Sequence, residues 1–262
     1  MTTISDELRK LESEFIDLGQ SKKKDKKKIN FVLEVHIPKT FNGETCKAPL
    51  SCFSSAKLIN HTKVQSIVAQ KKVELIDSIC KSTLRSGKSV KAQNSKIGEI
   101  YAEKNVVLES TEVKGEVISA KAIEISNSPH LFKRIDGEII TITNCAEVNH
   151  ITGGKITLVN SNADSIFFRE GLKLEQHSKV RMIRGCGEAL LISSSSADTI
   201  IIHFETFQRA LKDIKVTVSF STVAKLIFQG SCRGLIKCIN GSKIDEIAGN
   251  YKLVDSFENG NT

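Results

Sequence analysis

The sequence predicts an all-β chain wound as a single-stranded parallel β-solenoid of about twelve rungs, preceded by a short N-terminal helix. The first of three supporting observations is a repeat. Residues 66–78 (SIVAQKKVELIDS) align with residues 98–110 (GEIYAEKNVVLES), so that Ile67, Ala69, Val73 and Leu75 fall on Ile100, Ala102, Val106 and Leu108. The second is a column of apolar residues at steps of 16–18: Leu58, Leu75, Ala92, Leu108, Ile125, Ile142, Leu158, Leu174, Ile192, Ala210, Phe228 and Ile244. Two residues before each stands a partner from Ala56 through Ser242, apolar at ten of twelve positions in a chain that is 40% hydrophobic. Spacing by two puts both side chains on one face of a strand and does not fit a helix. The third is a row two residues beyond the column, running from Asn60 to Glu246 and containing five Asn and Gly230. Asn and Gly tolerate the left-handed backbone that a tight corner uses. Each unit therefore reads as a strand followed by a corner.

A further column six residues before the main one is mostly small: Cys52, Ala69, Ser86, Ala102, Ser119, Asp136, Thr152, Phe168, Cys186, Phe204, Thr222 and Cys238. Small inward residues suit a narrow interior in which strands approach closely.

Taken in order, residues 1–28 are a helix followed by a lysine-rich linker. Ile4, Leu8, Leu11, Phe15 and Leu18 recur at helical spacing, with Asp6 and Glu7 in the first turn, where acids favour the helix dipole. This stripe fits docking on the chain's own body, self-association, or recognition by another protein. The linker holds Lys22, Lys23, Lys24, Lys26, Lys27 and Lys28. It supplies +5 of the net charge of +8, so the basic balance belongs mainly to this tract. Its lysines suit an anionic membrane surface or nucleic acid, but no aromatics interleave with them to stack bases. The plainer reading is a solvated spacer.

Residues 29–45 are a lead-in strand and loop, in which Phe31, Leu33, Val35 and Ile37 alternate with Val32, Glu34 and His36. The solenoid is expected over 46–249 and a tail over 250–262. Residues 205–212 (ETFQRALK) break the pattern and predict a bulge or a helical turn. Only three Pro occur in the chain, as long ladders require.

Composition excludes several function classes. No run of about 18 apolar residues exists for a membrane helix, and the acidic N-terminus does not read as a secretory signal. Seven Cys, an odd number without a CxxC pair, read as reduced structural thiols, with Cys52, Cys186 and Cys238 in the small column. The expectation is a cytoplasmic protein, associated with the inner membrane face if the lysine tract acts as a tether. The six His have no metal spacing, and the chain lacks a GxxxxGK[ST] phosphate loop and a GxSxG elbow. Glu147, Asp164 and Asp198 each follow an Ala at similar phase and would form one acidic row. Paired carboxylates hold calcium or hydrolyse glycosides, although acids at rung starts are ordinarily solvated corners. No enzyme activity, cofactor, metal or small-molecule substrate is expected.

Residues 97–125 carry Gly98-Glu99-Ile100-x-Ala102 and Gly115-Glu116-Val117-x-Ser119, followed by Val106-x-Leu108 and Ile123-x-Ile125. This pattern resembles the bactofilins, polymer-forming bacterial cytoskeletal proteins. The likeness is close over two to three rungs and looser over 46–249. It implies a right-handed β-helix that polymerises end to end without nucleotide. The chain departs from that family in having more rungs, a glycine register that fades after Ile142, and a helix before its basic tract. On this reading the self-assembly contacts are Phe31, Leu33, Val35, Ile37, Leu50 and Leu58 at one end, and Ile236, Ile244 and Phe257 at the other. A capped monomeric solenoid that binds another protein is the alternative, and a carbohydrate-active β-helix enzyme ranks third.

Overall fold

The computed structural model describes residues 32–204 and 211–255. All regular structure there is β, and every strand pairs in parallel with its counterparts in neighbouring coils. The chain winds through three faces per coil. One inward column counts the coils: Leu33, Leu50, Ile67, Leu84, Ile100, Val117, Ile135, Ile151, Ile166, Ile183, Ile200, Leu226 and Ile247 stand in register. That makes thirteen coils. The predicted N-terminal helix lies outside the described residues.

The stack extends beyond the expected limits on both sides. Leu33–Val35, Lys39–Asn42 and Thr45–Cys46 form a complete first coil. At the other end Tyr251–Leu253 pairs with the strand that carries Ile236.

The main apolar column holds from Leu58 to Ile192 on the second face. Beyond Ile192 the structure continues it through Val218 and Cys238. Ala210 lies outside the described residues, Phe228 belongs to the first face, and Ile244 to the third. The reason is the long excursion after Phe204, which lengthens that step to 26 residues and carries a constant pitch off the face. The bulge or helical turn expected at 205–212 falls mostly outside the described residues; Leu211 and Lys212 lead back into the stack.

The small column also shifts. In place of Asp136, Thr152 and Cys186 it contains Gly137, Gly153 and Gly185, one residue away in each case. The corner between the first and second faces shortens at Gly137, and 13-residue strands (Leu131–Thr143, Glu147–Val159) run through it unbroken. Beyond Gly185 the column continues through Ile202 and Phe228, not Phe204, Thr222 and Cys238.

Corners between the second and third faces follow one rule. A residue with positive φ, from Asn60 and Asp77 through Phe220 and Asn240, opens each of them. A buried or half-buried Ser, Thr or Cys closes it, giving a row from Thr62 through Ser78, Ser95, Thr111, Ser128, Cys145, Ser161, Ser178, Ser195 and Ser221 to Ser242. The Ser95 hydroxyl donates to the Gln93 carbonyl at 2.8 Å and accepts the Ser78 backbone N–H at 3.2 Å from the preceding coil. Ser161, Ser178, Ser221 and Ser242 repeat the arrangement. These hydroxyls satisfy corner N–H groups that the sheets leave unpaired, which burial requires. Outside the same corners Asn144 donates to Asn127, and Asn160 to Asn144, across successive coils.

Candidate assembly surfaces

Among the described residues the two ends of the stack leave strand edges unpaired, and they differ in what they present. Consider the second-face inner column that begins at Lys39 and passes through Ala56, Val73 and Val90 to Val216, Ile236 and Leu253. Its members from Ala56 to Ile236 are buried. Leu253 is 62% exposed, since no further coil of the described residues covers it. Ile244 and Ile247 are half-buried for the same reason, and Tyr251 is exposed beside them.

The first coil is closed more fully. Val35 and Phe41 are buried, Phe41 completely, while Leu33 and Ile37 are exposed. At the head of the inner column stands the charged Lys39, its Nζ 4.7 Å from the Phe41 ring centroid. Lys39 occupies the position that apolar residues fill in every later coil.

The predicted contact residues are therefore distributed unevenly. Leu33, Val35 and Ile37 lie in the terminal coil region, and Ile244 in the last described strand of the third face. Leu50 and Leu58 are covered by the first coil, and Ile236 by the last. Phe31, Phe257 and the six lysines from Lys22 to Lys28 lie outside the described residues. Sequence reasoning missed Lys39, Ile247, Tyr251 and Leu253. The signal for Leu253 was present: it follows Ile236 by 17 residues, one ordinary step.

The acidic row is dismantled by a cation. Asp164 and Asp198 do share a ridge, but Arg181 stands between them in the intervening coil. Its guanidinium grips both Asp164 oxygens, Nη2 to Oδ2 at 3.0 Å, and its hydrogen bonds hold that carboxyl below the usual range. Glu147 sits one column away, paired with Leu131. Among the described residues no three His, Cys, Asp or Glu side chains gather as a metal site.

The described cysteines are free. Burial pushes the Cys80 thiol up to about 12, which leaves it inert as a nucleophile at neutral pH. Of the three cysteines placed in the small column by sequence, Cys52 alone is there and buried. Cys186 is half-buried beside Gly185, and Cys238 is exposed on the second face. No helix of the described residues is long and apolar enough to cross a membrane. No family model, curated protein or solved structure matches the chain.

Proposed function

We propose that the protein is a structural scaffold that self-assembles through the C-terminal end of its solenoid, without nucleotide, in the manner the bactofilin likeness implies. The observation that carries this reading is Leu253, exposed at the end of an inner column whose preceding eleven members are buried. A second stack laid on this end would cover Leu253, Ile244, Ile247 and Tyr251. Burying a large apolar side chain contributes about 1.5–3 kcal/mol, and the unpaired edges would gain backbone partners.

Lys39 favours a shorter assembly. Stacking another copy on the N-terminal end desolvates its ammonium, at a cost of several kcal/mol. Joining by C-terminal ends alone yields pairs of rods, and a partner protein on that same end yields the binding-module alternative.

Sedimentation separates the cases, using the full chain, the chain lacking residues 1–28, and Ile244→Lys or Leu253→Lys. Filaments or pairs in the first two, lost in the lysine variants, support the scaffold. Filaments appearing only after truncation assign the N-terminal segment the role of a cap. A monomer in every sample defeats self-assembly and leaves the binding module.

A further inference from the structure

Between the first and second faces, four consecutive coils turn their corners on lysine. These are Lys71 and Lys72 in the third coil, Lys88 in the fourth, Lys104 in the fifth and Lys121 in the sixth, all exposed. Buried serines fix the backbone beneath them. Ser86 Oγ accepts the Lys88 N–H at 3.2 Å and donates to the Lys71 carbonyl one coil below. Ser119 does the same for Lys121 and Lys104. The Lys104 N–H donates to the Lys88 carbonyl at 2.8 Å. These hydrogen bonds tie the corner backbone of each coil to the next.

Several cations elsewhere on the rod are paired across coils, Lys57 with Glu74, Lys96 with Glu112, Lys155 with Glu170, Lys225 with Glu246 and Arg233 with Asp213, and others such as Lys47, Lys63, Lys91 and Lys179 stand singly on the faces; what sets the corner apart is that its lysines recur in consecutive coils. None of the five ridge lysines forms an ion pair with a described residue. Glu103, half-buried beside Lys104, is the one acid at the corner in these coils, and Glu138 ends the run in the seventh. Coils rise about 4.8 Å, well inside the Debye length of roughly 8 Å at physiological salt, so these ammonium groups repel one another. Lysines protect the open edges of sheets, but this ridge has coils on both sides and no edge to protect.

We propose that the ridge binds linear inorganic polyphosphate. The partner must be an extended polyanion, because the charges lie in a straight line along the rod. Arginine, whose planar fork matches carboxylates, is absent from the corner; the lysine ammonium acts as a point charge on phosphate. No aromatic ring stands at the corner in these coils to stack a base. A phosphoanhydride chain carries charge on every unit, and its units lie closer than the coils, so each ammonium meets a phosphate in any register. The inference does not depend on the assembly reading.

The test uses the full-length chain with Lys22, Lys23, Lys24, Lys26, Lys27 and Lys28 changed to glutamine, so that the tail contributes no binding. The affinity for long-chain sodium polyphosphate is measured at several salt concentrations. K88Q/K104Q should weaken binding about tenfold and lower the salt slope by about one per lysine removed. K155Q/K173Q, which removes equal charge from lysines paired with Glu170 and Glu175, should leave both unchanged. Melting curves establish that each variant is folded. Absent binding, or equal losses in both variants, overturns the proposal. Polygalacturonate or duplex DNA binding as tightly, with the same dependence on Lys88 and Lys104, overturns the assignment to polyphosphate.

Discussion

Coils two to six and coils eight to twelve build the same backbone by different fillings. In the earlier set the crowded inner column holds Cys52, Ala69, Ser86, Ala102 and Ser119, each small and each close in size to its neighbour. In the later set it holds Gly153, Phe168, Gly185, Ile202 and Phe228. There a large ring borrows the space of the coil beside it. A Cβ on Gly185 would lie 2.3 Å from the Phe168 ring, and one on Gly187, in the same following coil, would lie 2.7 Å from it. Around Phe168 the large ring is offset by glycines in the coils on either side, Gly153 and Gly185, whereas Ile202 and Phe228 are both large in successive coils. Close packing around the Phe168 ring requires that offset.

The largest expected effects test that difference. Phe168→Ala should destabilise by about 3–5 kcal/mol, because Gly153 and Gly185 contribute no side chain to fill the void. Gly185→Ala should cost about 1–3 kcal/mol through overpacking against the ring. The double variant Phe168→Ala/Gly185→Ala should be more stable than the sum of the two losses, since each change makes room for the other. Ala102→Ser, which copies the neighbouring coil, should change stability by less than either. Denaturant melts of the four variants measure all of this, and strict additivity would contradict the shared-volume account.

The corner serines span both sets and should respond alike in each. Ser95→Ala removes the acceptor for the Ser78 N–H, and Ser161→Ala removes the acceptor for the Cys145 N–H. A buried donor left unpaired costs about 1–3 kcal/mol. Similar losses at the two sites would show that the hydroxyl row is one continuous device; a loss at Ser95 alone would confine it to the regular coils.

The same contrast governs what the sequence makes legible. Where each coil repeats its neighbour, period and strand phase are readable: the main column stands as predicted from Leu58 to Ile192, and the left-handed corners from Asn60 to Ser194 are as expected. Where adjacent coils compensate for one another, a column looks irregular although the packing is sound. The sequence reading therefore placed Asp136, Thr152 and Cys186 inside, when the glycine one residue away was the inward position. The excursion after Phe204 defeats a constant pitch, because a loop can lengthen one corner without disturbing the ladder on either side. The row was visible as Ser or Thr, and once Cys145, following the left-handed residues from Asn60 to Asn240, but only a hydrogen-bond account of the corner gives it meaning. At the ends, Lys39 was masked by its apolar neighbours, and Leu253 was assigned to a tail.

The smallest expected effect concerns charge in the irregular set. Arg233 donates to both oxygens of Asp213 at 2.9 and 2.8 Å, bridging two coils beside the excursion. These hydrogen bonds hold the Asp213 carboxyl below its usual range, against some desolvation. An unfolded Asp titrates near pH 4. As the pH falls, the unfolded chain therefore takes up this proton before the folded chain does. The pair's contribution is present in full above about pH 5 and is lost as the pH drops through the lower folded value. Both partners are well exposed, so solvent screening keeps the effect small. Arg233→Gln should accordingly melt slightly below the parent at pH 7, and the gap should close once the pH falls below the lowered folded value, where Asp213 is protonated in both states. Raising the salt at pH 7 should narrow the same gap. A gap that persists unchanged into acid would show that Arg233 stabilises its coil by packing its aliphatic stem, and that its charge contributes nothing measurable.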